Sequence, residues 1–255
     1  PRRRPAGGAP MTSSPAGSGL DGAFNFRDLG GLRAGSGSLV RRGVLFRSDT
    51  LQARTPADVA HLTERLRLEL IVDLRIGPEA VSEGRGPMAE VPVSYLNAPL
   101  RDLPVSDLPP HEQSLRFYIE HLESPTSVLS TVVRIVAAMA GRPVLLHCAA
   151  GKDRTGLVVA LLLRLLGVDD EDIVADYLRS GLNMPRIKER FLGWPRYRDH
   201  MATVPGEVYD ALEYTIRGFL AELDARFAGA RDWAHERGIA DADLDRLRAG
   251  LLTES

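Results

Sequence analysis

Val144-Leu145-Leu146-His147-Cys148-Ala149-Ala150-Gly151-Lys152-Asp153-Arg154-Thr155-Gly156, continuing to Leu166, decides the reading of this 255-residue chain. Val144 to His147 follows the stop signals Gly141 and Pro143, and so short an apolar run reads as a buried strand. From Thr155 to Leu166 the apolar residues suit a helix, which Gly167 closes. A strand passing into a helix through Ala, Ala and Gly aims several backbone N–H groups, and the positive end of the helix dipole, at one point. An anion belongs there. Cys148 lies at the base of that cradle, where the thiolate form is favoured and acts as a nucleophile. Arg154, six residues on, supplies the planar fork that holds two phosphoryl oxygens, while Ala149, Ala150 and Gly151 let the backbone approach a ligand. Composition frequencies put the chance of His-Cys-x-x-Gly-x-x-Arg-Ser/Thr in a chain of this length at about 10⁻⁴ or less.

Other phosphate loops do not fit. Gly151-Lys152 is followed by Asp153 rather than Ser or Thr, and Leu146 stands where the nucleotide-binding version needs its first glycine. The Gly35, Gly37 pair has Val40 in place of a third glycine.

Outward from the loop, strands and helices alternate. Val44 to Arg47 reads as a strand, paired with the segment around Leu39. Thr55, Pro56 and Asp58 open a helix to about Arg67. Leu70 to Leu74 and Val93 to Leu96 read as strands, with loop between Gly77 and Pro92. Ser124-Pro125 starts a helix whose face Val128, Val132, Ile135, Val136 and Met139 runs to Gly141. Asp170 to Ser180 forms another, closed by Gly181. Beyond it the chain is helical: Val208, Leu212, Ile216, Phe219, Leu220 and Leu223 trace one apolar face, Asp241 to Leu251 another, and the segment between Pro185 and Pro195 has no assignable pattern. The alternation predicts an α/β fold, a central sheet flanked by helices.

Lys and Arg (32) nearly balance Asp and Glu (34), which excludes a protein working through bulk positive charge on nucleic acid. A single cysteine allows no intrachain disulfide and suits a reducing, cytoplasmic compartment. No apolar run approaches the roughly 20 residues of a membrane span. Residues 1–19, rich in Pro, Gly, Ser and Arg, read as a disordered leader, leaving 20–255 as the folded domain.

Cys-x5-Arg between His and Thr-Gly resembles the signature of the cysteine-dependent protein tyrosine phosphatase superfamily. Asn25-Phe26-Arg27-Asp28-Leu29-Gly30-Gly31, Leu45-Phe46-Arg47-Ser48, Val72-Asp73-Leu74-Arg75 with Glu79, and Ala175-Asp176-Tyr177-Leu178 resemble its bacterial type, typified by mycobacterial protein tyrosine phosphatase B, over residues of about 20 to 250. The resemblance implies a phosphocysteine mechanism with Cys148 as nucleophile and Arg154 as clamp, without metal or cofactor. It implies phosphotyrosine proteins as substrates, with phosphoserine, phosphothreonine and phosphoinositides as extensions. It also implies a helical lid at about 181–226, and leaves room for a form secreted without a signal peptide. Residues 149–154 would bind phosphate, Lys152 among them, either as an anion contact or as a solvated charge. Asp153 in the loop and Asp102 after a strand compete as the acid that protonates the leaving oxygen. His147 and Thr155 support the loop, as do Asp73 and Arg75, while Asn25, Arg27 and Asp28 order the N-terminal turn. Three readings compete: a phosphoinositide phosphatase, a phosphate-binding pseudophosphatase, and a Cys–His hydrolase using a remote His61, His111, His121, His200 or His235.

Overall fold

The computed structural model describes residues 19–101 and 108–254; the expected leader up to residue 18 and the candidate acid Asp102 lie outside the described residues. Five strands form one sheet: β1 (Arg27–Asp28), β2 (Leu45–Ser48), β3 (Leu70–Asp73), β4 (Ser94–Asn97) and β5 (Val144–His147). Their order is β1-β2-β5-β3-β4, and only β1 runs antiparallel to its neighbour. Period-2 alternation sorts the strand side chains between two cores. Phe46, Ile71 and Leu145 face Leu20, Phe26, Leu62 and Met88, while Leu45, Val72, Val144 and Leu146 face the larger helical core.

Register places the functional loop. Ser48 of β2 and Asp73 of β3 both stand opposite His147 of β5, so three parallel strands end level with one another. The central strand thus delivers Cys148 to the carboxyl edge of the sheet, where ligands of open α/β sheets bind.

The helices are α1 (Pro56–Ala60), α2 (Gly77–Glu83), α3 (Pro110–Glu123), α4 (Leu129–Met139), α5 (Asp153–Leu166), α6 (Asp170–Leu192), α7 (Pro195–Met201), α8 (Glu213–Phe227), α9 (Ala230–Glu236) and α10 (Asp241–Leu251). Thr55 caps α1 through a reciprocal box with Asp58, and a π turn at residues 61–65 extends it. α5 carries its apolar residues on nearly every side because it is buried between the sheet and the other helices.

Several expectations are corrected. β2 pairs with β1 and β5; the Leu39 segment makes isolated bridges instead, Leu39 to Arg33 and Val40 to Leu252. The span 77–92 holds α2 and a 3₁₀ turn at 86–89, because Pro78 at the start of a helix organises its first turn rather than breaking it. α6 passes through Gly181 and Pro185, where tertiary packing outweighs one missing backbone bond. The face expected as one helix over 208–223 is split: 206–209 is a 3₁₀ turn and α8 begins at Glu213.

Candidate active site

The loop from β5 to α5 wraps around the thiol. Gly151 N–H donates to Cys148 Sγ at 3.2 Å. Gly151 has φ +68°, and a Cβ there would lie 2.4 Å from the Ser48 carbonyl oxygen, so the turn requires glycine. Thr50 N–H holds the Ala149 carbonyl at 3.0 Å. Asn25 Nδ2 donates to the carbonyls of Ala150 and Gly151, both at 3.0 Å, and Arg47 donates to Gly151 at 2.6 Å.

Arg154, in the first turn of α5, presents its fork against Glu79 of α2; both guanidinium nitrogens donate to the carboxylate, NH2 at 3.1 Å. Burial pushes the Glu79 carboxyl up, but Arg154, together with the Ile76 N–H and Arg75, holds the group below the usual carboxylate range. Glu79 therefore sets the orientation of the Arg154 guanidinium. The sequence assigns Glu79 no role, because Gly77-Pro78 before it reads as loop and hides the helix that presents it.

Asp153 accepts a hydrogen bond from Ser114 Oγ of α3 at 3.1 Å and lies 3.2 Å from Lys152 Nζ. Lys152 is not a solvated charge: it is fully buried, and its ammonium donates to the carbonyls of Val208 (2.6 Å) and Asp210 (2.9 Å). Thr155 is also fully buried, in the first turn of α5.

His147 points away from the thiol, to the opposite face of the sheet. Its Nδ1 lies 3.1 Å from the Cys148 carbonyl oxygen and its Nε2 3.6 Å from Asp73. Burial dominates and lowers His147 to about 4 despite the nearby Asp73, so the ring is neutral at pH 7. Burial pushes the Asp73 carboxyl up, but the neighbouring His147, Arg75, which binds it through two nitrogens, and Tyr95, which donates to it at 2.7 Å, keep it below its usual range. Asn25 and Arg27 do not merely order the N-terminal turn; that task falls to Asp28, which accepts from the N–H groups of Gly30 and Gly43.

A cavity of about 490 Å³ opens onto this loop, lined by Cys148, Asp153, Arg154, Phe117, Tyr197 and Arg196 among others. One wall of it is formed by the second half of α6, α7 and the 206–209 turn, which we term its cover: Met184, Ile187, Phe191 and Tyr197 pack with Ala149 in one cluster. Arg190 pins that cover, pairing with Asp49 at 2.9 Å and stacking 3.7 Å above the Phe24 ring. α8 lies elsewhere, with Ile216, Phe219, Leu220 and Leu223 in the main core against α3 and α6. The basic side chains between residues 186 and 198 do not form one patch: Arg186 and Arg190 flank Phe24, Lys188 and Arg198 face Asp210 and Asp199, and Arg196 lines the cavity. Among the described residues, no group of three or more His, Cys, Asp or Glu could hold a metal ion, and no helix is long and apolar enough to cross a membrane.

A central parallel sheet that delivers a lone thiol into the N-terminal cradle of a helix, with an arginine one turn on, defines an α/β phosphatase of the tyrosine phosphatase class. The profile of the tyrosine phosphatase family matches residues 18–253, and the chain belongs to that family. The triple specificity protein phosphatase PtpB of Mycobacterium tuberculosis is 32% identical over 277 residues, covering 91% of this chain and 98% of that protein. A putative tyrosine-protein phosphatase of Cupriavidus necator is 33% identical over 251 residues, covering 91% and 87%. Among solved structures, P. aeruginosa TpbA in complex with pTyr aligns with a TM-score of 0.36 at 20% identity, over 66% of this chain and 91% of that one.

Proposed function

We propose that this phosphatase hydrolyses phosphomonoesters, phosphotyrosine foremost, in two steps through a phosphocysteine on Cys148. The observation that carries the reading is the Gly151 N–H directed at Cys148 Sγ at the start of α5, beside an arginine fork held by Glu79. In the first step the sulfur forms a bond to phosphorus as the ester P–O bond breaks, and Asp153 gives its proton to the departing oxygen. Arg154 and the loop N–H groups meet the charge on the equatorial oxygens. In the second, water attacks phosphorus, its proton passes to Asp153, and the S–P bond breaks to release inorganic phosphate and the thiolate. Lys152 acts by tying the loop to its cover rather than as a phosphate ligand. The half of α6 beyond Gly181, α7 and the 206–209 turn serve as the lid, and its lone thiol nucleophile suits a reducing compartment.

The cavity exceeds what a phenyl phosphate fills, and Arg196 on its wall supports a second class of substrate, anionic phosphoinositides. A panel of phosphotyrosine peptide, phosphoserine peptide and phosphoinositide, run on wild type, Cys148→Ser and Arg154→Lys, tests both readings. Each variant is expected to lose at least about 10²-fold in turnover, comparable to removal of a single acid or base, while Cys148→Ser still binds phosphate. Turnover above that in Cys148→Ser refutes the covalent mechanism, and a wild type that binds phosphate without turnover is a pseudophosphatase.

A further inference from the structure

Three family-like stretches far apart in the chain meet behind the phosphate loop. Asn25 and Arg27 come from the first, Arg47 from the second and Asp176 from the third, on α6. Asp176 receives Arg27 Nε at 2.6 Å and Arg47 NH1 at 2.5 Å, one on each carboxylate oxygen. Arg27 NH1 donates to Asn25 Oδ1 at 2.5 Å and its NH2 to Ser180 Oγ at 3.1 Å. All five residues are at least nine-tenths buried. The outputs of this cluster are the three donors described above, two from Asn25 and one from Arg47, and all of them fall on the carbonyls of Ala150 and Gly151.

A peptide unit has two ends. Drawing those two carbonyls backward turns the N–H groups that follow them toward the front of the loop, where Gly151 N–H already meets the sulfur. We propose that Asp176 and Asn25 are positioning residues for phosphoryl transfer: Asp176 fixes Arg47, and together with Asn25 they hold the loop carbonyls away from the phosphate so that its N–H groups face it. This rests on reading the loop as the phosphate site. Because Asp176 belongs to α6, the carboxylate that sets the loop also roots the helix whose far half covers the cavity.

The sign of one measurement separates this role from electrostatics. The Arg27, Arg47 and Asp176 side chains carry one net positive charge behind the loop. Asp176→Asn raises it, so a purely electrostatic cluster would bind phosphate more tightly, whereas positioning predicts weaker binding. Inorganic phosphate is titrated by calorimetry into Cys148→Ser alone and combined with Asp176→Asn or Asn25→Ala. Each added change is expected to raise the phosphate Kd at least about 10-fold, and in the active protein to raise KM for an aryl phosphate as well as lower kcat. A phosphate Kd unchanged or lowered in the folded variants, with kcat falling only as the folded fraction falls, overturns the proposal. Should Asp176→Asn fail to fold, Asn25→Ala, which alters no charge, carries the test. Turnover persisting in Cys148→Ser would instead refute the covalent mechanism and leave the phosphate titration intact.

Discussion

Gly151→Ala changes the catalytic loop by one methyl group, and the structure sets what it does. A left-handed alanine costs about 1 kcal/mol at φ +68°. The added Cβ would also lie 2.4 Å from the Ser48 oxygen, 2.6 Å from its carbonyl carbon and 2.8 Å from the Asp49 nitrogen, where ordinary contact begins at 3.4 Å. Relief needs a displacement of about 1 Å. Ser48 is locked in β2 opposite His147, and Asp49 is buried, accepting from Phe24 N–H, Asn25 N–H and Arg190. The loop must therefore move, carrying the Gly151 N–H off the sulfur. A misplacement of about 1 Å costs on the order of 10²-fold in rate, whereas strain and overpacking together remove about 2–4 kcal/mol of stability. Gly43→Ala is the control: φ +77° imposes the same backbone penalty with no atom within 4 Å of the new Cβ. Steady-state kinetics on an aryl phosphate, with thermal melts of both variants, should show Gly43→Ala destabilised by about 1 kcal/mol with unchanged kcat/KM, and Gly151→Ala folded but about 100-fold slower. A folded Gly151→Ala within about threefold of wild type refutes the claim that loop geometry is set against the Ser48–Asp49 backbone.

Asp153→Asn should slow hydrolysis of a phosphotyrosine peptide by about 10²-fold yet barely affect an activated aryl phosphate, whose leaving oxygen needs little protonation; equal losses on both substrates would remove Asp153 from the proton transfer. His147 titrates at about 4 in the folded chain against roughly 6.5 unfolded. As pH falls through that window the unfolded chain takes up the proton first, so stability is present above 6.5 and drops by roughly 3 kcal/mol by pH 4. His147→Gln should flatten this part of the melting-temperature profile, and slopes identical to wild type would show that the ring is not held neutral.

What was legible in the sequence is what lies in contiguous residues. Val144 to His147 emerges as β5 with the expected limits, and α5 starts only two residues before the expected Thr155. In both cases an apolar run stands between Pro, Gly and charged punctuation, and both faces are buried, so local pattern and tertiary environment agree. Gly181 misled because a glycine read along the chain is a stop, while in space it faces Ala211 with 3.5 Å for a Cβ, close packing in the middle of α6. Gly77-Pro78 read as a turn, although Pro in the first turn with Glu79 behind it also opens a helix. Lys152 shows the limit of reading charge as surface. A lysine in a loop is normally solvated, and it is the carbonyls of Val208 and Asp210, more than fifty residues on, together with the adjacent Asp153 carboxylate, that make its burial tolerable. The same reasoning explains why Asn25, Arg47 and Asp176 were visible as landmarks without a task. Each belongs to a type that is ordinary on a surface, and what gives them one is pairing at long range: Arg47 with Asp176, 129 residues on, and Asn25 with Ala150 and Gly151, 125 and 126 residues on. The proposed nucleophile and its clamp lie within one turn of a helix N-terminus, so their chemistry is written locally; the groups that hold them need only arrive from somewhere, and one sequence does not say from where.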